Sequence, residues 1–238
     1  MRLILTIGRI VIMVTANIGF SIIALFSLLV EKDGRTYFWA GSTWSKLCLR
    51  VCGIEVRVRG IENIREDGAY IFVTNHASMF DIPAVMSVLP RVRIMFKKEL
   101  SYVPLWGWAL RWGHHIVVDR ARGAKAMKSI DRAAEAIKTG GSVILFAEGT
   151  RTRDGKLLPF KRGAFTLAAR SGVPIVPITI NGSFKILPKA SLDIRPSPIE
   201  LLMDKPIDTS HITSRDEELA LMKRVRGIIE LNYREDIT

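Results

Sequence analysis

The chain has 238 residues, enough for one well-packed domain plus an appendage. Lys and Arg outnumber Asp and Glu by 35 to 23, a formal charge of +12, which directs attention to a polyanionic partner such as nucleic acid or an anionic membrane. Cys48 and Cys52 stand four apart and form no metal-type pattern with the four histidines, so we expect no disulfide framework, no metal and a reducing compartment.

From residue 10 to residue 30 there is no charged side chain. As a helix this run is roughly 31 Å long, matching a hydrocarbon core of about 30 Å. A cleaved signal peptide fits poorly, because the run exceeds the usual length of about 7–15 residues and ends in Val30-Glu31-Lys32 without a small-residue cleavage site. A buried helix of a soluble protein is the alternative reading. After the Asp33-Gly34 turn, Tyr37, Phe38, Trp39, Trp44, Leu47 and Leu49 are interleaved with Lys46 and Arg50, a mixture suited to a membrane interface. Residues 1–52 are therefore read as a membrane-embedded helical anchor, either spanning the bilayer or entering one leaflet as a hairpin. Arg2 and Arg9 precede the run, and Lys32, Arg35, Lys46 and Arg50 follow it. That balance leans toward a cytoplasmic position for what comes after.

From Gly53 the pattern changes to short strands alternating with helices. Ile54, Val56 and Val58 alternate with Glu55, Arg57 and Arg59, the period of a half-exposed strand. Further strands are expected at 70–74, 94–96, 116–118, 143–146, 175–180 and 199–203, with Pro177 tolerated only at an edge or a bulge. Helices are expected over the aromatic segment beginning at Pro104, over 126–137 ended by Gly140-Gly141, and over 164–170 stopped by Gly172. A last amphipathic helix opens at the Ser214/Glu217 capping box. Residues 53–238 thus read as one α/β domain, a mixed sheet of about seven strands flanked by helices.

Two strand ends carry chemistry. Residues 70–74 (YIFVT) deliver Asn75-His76 to a strand mouth, where sites lie in open α/β sheets, and Asp81 follows at a spacing that lets a turn return its carboxylate to the imidazole. Such a pair fixes the tautomer and frees Nε2 to take a proton from a hydroxyl. Both residues could instead simply cap the next helix. The strand at 143–146 runs into Ala147-Glu148-Gly149-Thr150-Arg151, in which glycine permits close backbone approach and the Arg151 fork suits a phosphate. An ordinary Glu148–Arg151 ion pair is the simpler alternative.

Five blocks stand in order: Asn75-His76-x4-Asp81; Lys97-Lys98-Glu99-Leu100 with Pro104 and Gly107; Val118-Asp119-Arg120; Phe146-Ala147-Glu148-Gly149-Thr150-Arg151; and Val173-Pro174-Ile175-Val176-Pro177. Over residues 54–181 the chain resembles the glycerolipid acyltransferases of the 1-acylglycerol-3-phosphate type. One departure is Ala147, where that family usually has proline. The resemblance implies that His76 is the general base and Asp81 its orienting carboxylate. It further implies that Lys97, Arg120 and Arg151 bind the acceptor phosphate, with Glu148, Gly149 and Thr150 shaping the acceptor site. The implied reaction moves an acyl group from acyl-CoA or acyl carrier protein to lysophosphatidic acid at a cytoplasmic membrane face, with no cofactor. No Gly-x-Ser-x-Gly elbow or nucleophilic cysteine is present, in keeping with direct transfer. Glycerol-3-phosphate, another lysophospholipid or an amino-acid lipid are alternative acceptors. Nucleic acid is disfavoured as a partner, because no RNP-type or zinc motif accompanies the basic residues. His114 and His115 are read as helix-to-strand residues and not as metal ligands.

Overall fold

The computed structural model describes residues 2–89, 91–118, 124–138, 140–188 and 193–237. The chain opens with α1 (Arg2–Val30), which turns through Gly34 at φ +67° into α2 (Arg35–Val51). By length and composition α1 can cross a membrane. Ile4, Val11, Val14, Phe26 and Leu29 are exposed along it, and leaving such side chains in water forgoes roughly 1.5–3 kcal/mol each. A lipid environment would recover that energy. The inner faces of the two helices are not autonomous: Tyr37, Phe38 and Ala40 pack with Ala24 and Ala109, while Leu49 and Cys52 enter the core beneath the sheet.

The remainder alternates as expected: β1 (Val56–Arg59), β2 (Ile71–Thr74), α3 (Asp81–Val88), β3 (Arg93–Lys97), α4 (Trp106–Trp112), β4 (Ile116–Val118), α5 (Ala124–Lys138), β5 (Val143–Phe146), α6 (Gly163–Ser171), β6 (Ile175–Asn181), β7 (Ile199–Met203) and α7 (Arg215–Asn232). The seven described strands form one sheet in the order β1-β7-β6-β2-β5-β3-β4, all pairs parallel except β6–β7. Parallel strands covered on both faces read as continuous apolar runs, and every residue of β2 and β6 is buried. One core, with Phe72, Phe80, Ala84, Ile178 and Leu201, lies toward α2 and α3. The other, with Ile71, Val73, Ala133, Ile137, Phe165, Leu167 and Val225, lies under α5, α6 and α7.

Two expectations are corrected. The first strand begins at Val56, and Ile54 is buried before it. Pro177 is neither at an edge nor in a short outer strand, because β6 lies between β7 and β2. Its carbonyl accepts from Asp204 N at 3.0 Å, just past the end of β7 at Met203. The nitrogen of a strand residue points the same way as its carbonyl, so the missing N–H faces Asp204, just past the end of β7, and proline forgoes only the reciprocal bond of this terminal pair. The α7 capping box forms as read, Ser214 Oγ accepting from Glu217 N and Glu217 returning a carboxylate to Ser214 N.

Candidate active site

Parallel pairing places the two polar strand ends side by side, with Thr74 of β2 opposite Phe146 of β5. Asn75 continues the β2–β6 ladder with its side chain: its Nδ2 donates to Ile180 O at 2.9 Å and its Oδ1 accepts from Ile180 N at 2.8 Å. A buried amide satisfied on both atoms holds the chain straight for one more residue. His76 then emerges at the sheet edge, its ring tilted against Phe146 with centroids 4.1 Å apart.

The turn from Ala77 to Phe80 brings Asp81, the first residue of α3, back beneath the ring. Asp81 Oδ2 lies 2.6 Å from His76 Nδ1 and accepts from Ala77 N and Ser78 N at 2.8 Å each. As a carboxylate it can only accept, which holds the ring proton on Nδ1 and leaves the Nε2 lone pair free. Asp81 is fully buried, and its Oδ1 has no hydrogen-bond partner among the described residues. The side chain is therefore immobilised through one oxygen in a dry setting, where its field on the imidazole is little screened.

The β5 mouth departs from the simpler of its two readings, the Glu148–Arg151 ion pair. Glu148 is buried, and its two oxygens accept from His76 N at 2.9 Å and Leu158 N at 3.0 Å. Burial pushes its carboxyl above the ordinary range. It thus ties the backbone beside His76 to the loop that follows, and the simple Glu148–Arg151 ion pair is not how its oxygens are used. The same loop is stitched by Thr152 N to His76 O at 3.0 Å and Lys161 N to Ala147 O at 2.8 Å. Gly149 lies at φ +70° and closes a turn through its N–H to Phe146 O, 2.9 Å, a conformation that favours glycine. At the departure point, Ala147 N donates to Thr74 O at 2.9 Å, a ladder bond that proline could not make.

Lys97, the last residue of β3, is half-exposed and pairs with Glu99 at 3.3 Å. Arg151 and His76 open together on a cavity of about 330 Å³. The rest of its wall is mostly apolar, with Met79, Ile82 and Met86 from the α3 region, Phe96 and Leu100 near the end of β3, Trp106 and Leu110 of α4, and Phe20, Ala24, Phe38 and Trp44 of α1 and α2. Arg120 lies outside the described residues. His115 faces this cavity and accepts from Ile94 N at 3.2 Å through Nδ1, with burial pushing its pKa down to about 3. Among the described residues no cluster of His, Cys, Asp and Glu could hold a metal ion. Sequence reasoning missed the Phe146 ring under His76 and the bracing role of Glu148. Both depend on β2 and β5 being neighbours, and no local pattern reports that.

A strand-mouth imidazole locked by a buried carboxylate faces an apolar cavity, an arrangement able to take a proton from a hydroxyl held beside an apolar group. The Acyltransferase family model matches residues 55–181, and the chain belongs to that family. It is 33% identical over 76% of its length to the 1-acyl-sn-glycerol-3-phosphate acyltransferase BAT2 of Brassica napus chloroplasts, covering 54% of that protein. To the human 1-acyl-sn-glycerol-3-phosphate acyltransferase alpha it is 35% identical over 77% of its length, covering 65% of that protein. The matched region thus spans only about half to two thirds of these relatives. The crystal structure of the acyltransferase PlsC from Thermotoga maritima superposes with a TM-score of 0.82 at 27% identity, covering 97% of this chain and 95% of that one.

Proposed function

We propose that the protein transfers a fatty acyl group from a thioester donor to the free sn-2 hydroxyl of 1-acyl-glycerol-3-phosphate, giving phosphatidic acid. The observation that carries this reading is the 2.6 Å His76–Asp81 contact at the mouth of an apolar cavity that also receives Arg151. His76 Nε2 takes the proton as the hydroxyl oxygen attacks the thioester carbonyl, and Asp81 stabilises the imidazolium that forms. The tetrahedral intermediate collapses, the C–S bond breaks, and the thiolate takes the proton back from His76. The steps balance without a covalent enzyme intermediate or any metal or redox cofactor.

The apolar cavity takes the acyl chain, because burying methylenes there returns about 0.8 kcal/mol each. Arg151 and Lys97, together with Arg120, form the cationic clamp for the acceptor phosphate. Gly149 and Thr150 shape the acceptor side, and Glu148 holds that loop against His76. Residues 1–52 act as the membrane anchor and 53–238 as the acyltransferase domain, on the cytoplasmic face of the inner (cell) membrane. The exposed apolar face of α1 and the slight excess of Lys and Arg after it support this placement. Membrane lipid is then both surface and acceptor, and acyl-CoA or acyl carrier protein is the donor.

The purified full-length chain should be assayed in lipid nanodiscs with both donor types and a panel of acceptors. Phosphatidic acid should form fastest from lysophosphatidate. Faster acylation of glycerol-3-phosphate, or of a lysophospholipid with a larger head group, would overturn the acceptor assignment.

A further inference from the structure

Residues 147–162 join β5 to α6 and carry Arg151, a connection longer than the roughly 2–6 residues usual between a strand and a helix. Its tip is a turn of its own, in which Asp154 Oδ1 accepts from Thr152 Oγ1 at 2.9 Å and from Lys156 N at 3.2 Å. Gly155, at φ +84°, is buried although Arg153, Asp154 and Lys156 around it are exposed. The residues that cover it follow α7. Tyr233 donates its hydroxyl to Gly155 O, and a Cβ on Gly155 would meet Glu235 Oε1 at 2.7 Å.

Tyr233 is itself tied to the sheet. Asn181, the buried last residue of β6, donates from Nδ2 to Asn232 O at 3.1 Å and accepts from Arg234 N on Oδ1 at 2.8 Å, so both neighbours of Tyr233 are bonded to one fixed side chain. Asn232 also donates to Asp204 at 3.0 Å, and Lys185 pairs with Asp236. About two helical turns earlier, Arg226 of α7 donates from Nη1 to Leu158 O at 2.9 Å, with its guanidinium over the Phe160 ring and paired to Glu230 at 2.7 Å. Neither contact is what holds α7 in place, because Leu221, Val225 and Ile229 bury it in the core. A turn held by one hydrogen bond can pivot about it. Next to Arg151 that bond is Thr152 N to His76 O, and the Tyr233 bond at the far end of the turn removes the pivot. Burial, with Glu235 and Glu148 adding to it, pushes the Tyr233 hydroxyl above its ordinary range, so it remains a donor.

We propose that Tyr233, with Arg226, is a positioning residue for the acceptor: it holds the turn at 152–156 so that Arg151 meets the phosphate at a fixed distance from His76. This rests on the acyl-transfer reading above and adds to it a clasp that does not line the cavity and acts through Arg151.

Tyr233→Phe removes the hydroxyl and keeps the ring. In nanodiscs, with its circular dichroism matching wild type, it should raise KM for lysophosphatidate by about 3–10-fold, with kcat falling less. Acylation of a monoacylglycerol should change far less. Arg226→Met should act alike, and Arg226→Lys, which keeps a donor for Leu158 O, should recover most of the loss. In an Arg151→Ala background Tyr233→Phe should cost almost nothing further, because the group it positions has gone. Trypsin should also cut folded Tyr233→Phe after Arg153 or Lys156 faster than wild type. Equal losses on the two acceptors, full additivity with Arg151→Ala, or an unchanged KM, whether or not cleavage speeds up, would reduce the clasp to a structural bond and overturn the proposal. A wild type that prefers another acceptor, with a Tyr233→Phe loss on that acceptor that still vanishes in Arg151→Ala, would support the clasp and overturn the acceptor assignment instead.

Discussion

The mouths of β2 and β3 hold polar residues at the same sheet edge and are built on opposite principles. At the β2 mouth Asp81 is buried completely and the His76 side chain is 16% exposed, and backbone bonds reach Asp81, the His76 N–H and the His76 carbonyl. At the β3 mouth Lys97 is 48% exposed and its partner Glu99 is 63% exposed. A proton transfer needs its donor and acceptor fixed before the reaction, because misplacement raises the barrier directly. An exposed ion pair is worth only about 0–1 kcal/mol, so Lys97 can exchange Glu99 for a phosphate at little cost. Under the proposed reaction, rigidity is concentrated where the proton moves, and adaptability where the phosphate would be held.

The contrast is broken most severely at its rigid end. His76→Ala should lower kcat by roughly 10²–10⁴-fold with the melting temperature and membrane fraction unchanged, and near-normal turnover by the folded variant would refute the base assignment. Asp81→Asn should approach that loss, since an amide no longer fixes the Nδ1 proton or stabilises the imidazolium.

At the adaptable end, Arg151→Ala should cost about 1.5–3 kcal/mol, or roughly 10–100-fold in kcat/KM, with lysophosphatidate. A monoacylglycerol of the same chain length should be affected far less. Lys97→Ala should act in the same direction, and the double variant less than additively, because both cations would share one dianion. Equal proportional losses on the two acceptors would mean that Arg151 shapes the loop without reading the phosphate.

Glu148 joins the two kinds of region, and Glu148→Gln sharpens the comparison by removing one of its two acceptor oxygens. Either His76 N or Leu158 N then faces an amide NH₂, a loss of roughly 1–3 kcal/mol that thermal unfolding should register. The accompanying fall in kcat should be smaller than that of His76→Ala.

Acid pH offers the gentlest probe, because Lys97 and Arg151 are already charged and stay so while His115 on the cavity wall can take up a proton. His115 is held neutral, with a folded pKa of about 3 against an unfolded value near 6.5. Its contribution is therefore present above about pH 6.5 and lost as pH falls toward 3, on the order of 1–2 kcal/mol by pH 5. His115→Asn keeps an acceptor for Ile94 N and should flatten this part of the melting-temperature profile. An unchanged slope would assign the acid sensitivity to other groups.

The sequence by itself determined the α/β alternation, the apolar run of α1, the α7 capping box and the two motif-bearing strand ends. Each is written in neighbouring residues, through periods of 2 and 3.6 or through turn and cap chemistry. The spacing from His76 to Asp81 was readable for the same reason, since a single turn closes it. Only the tertiary structure decided that β6 is central and that Pro177 sits where its partner strand has ended. It also decided that Glu148 turns inward to bond the backbone of His76 and that Ala147 donates the N–H which extends the β2–β5 ladder. These outcomes follow from which strand lies beside which. That order is set by burying apolar faces far apart in the chain, and no local stretch of sequence contains it.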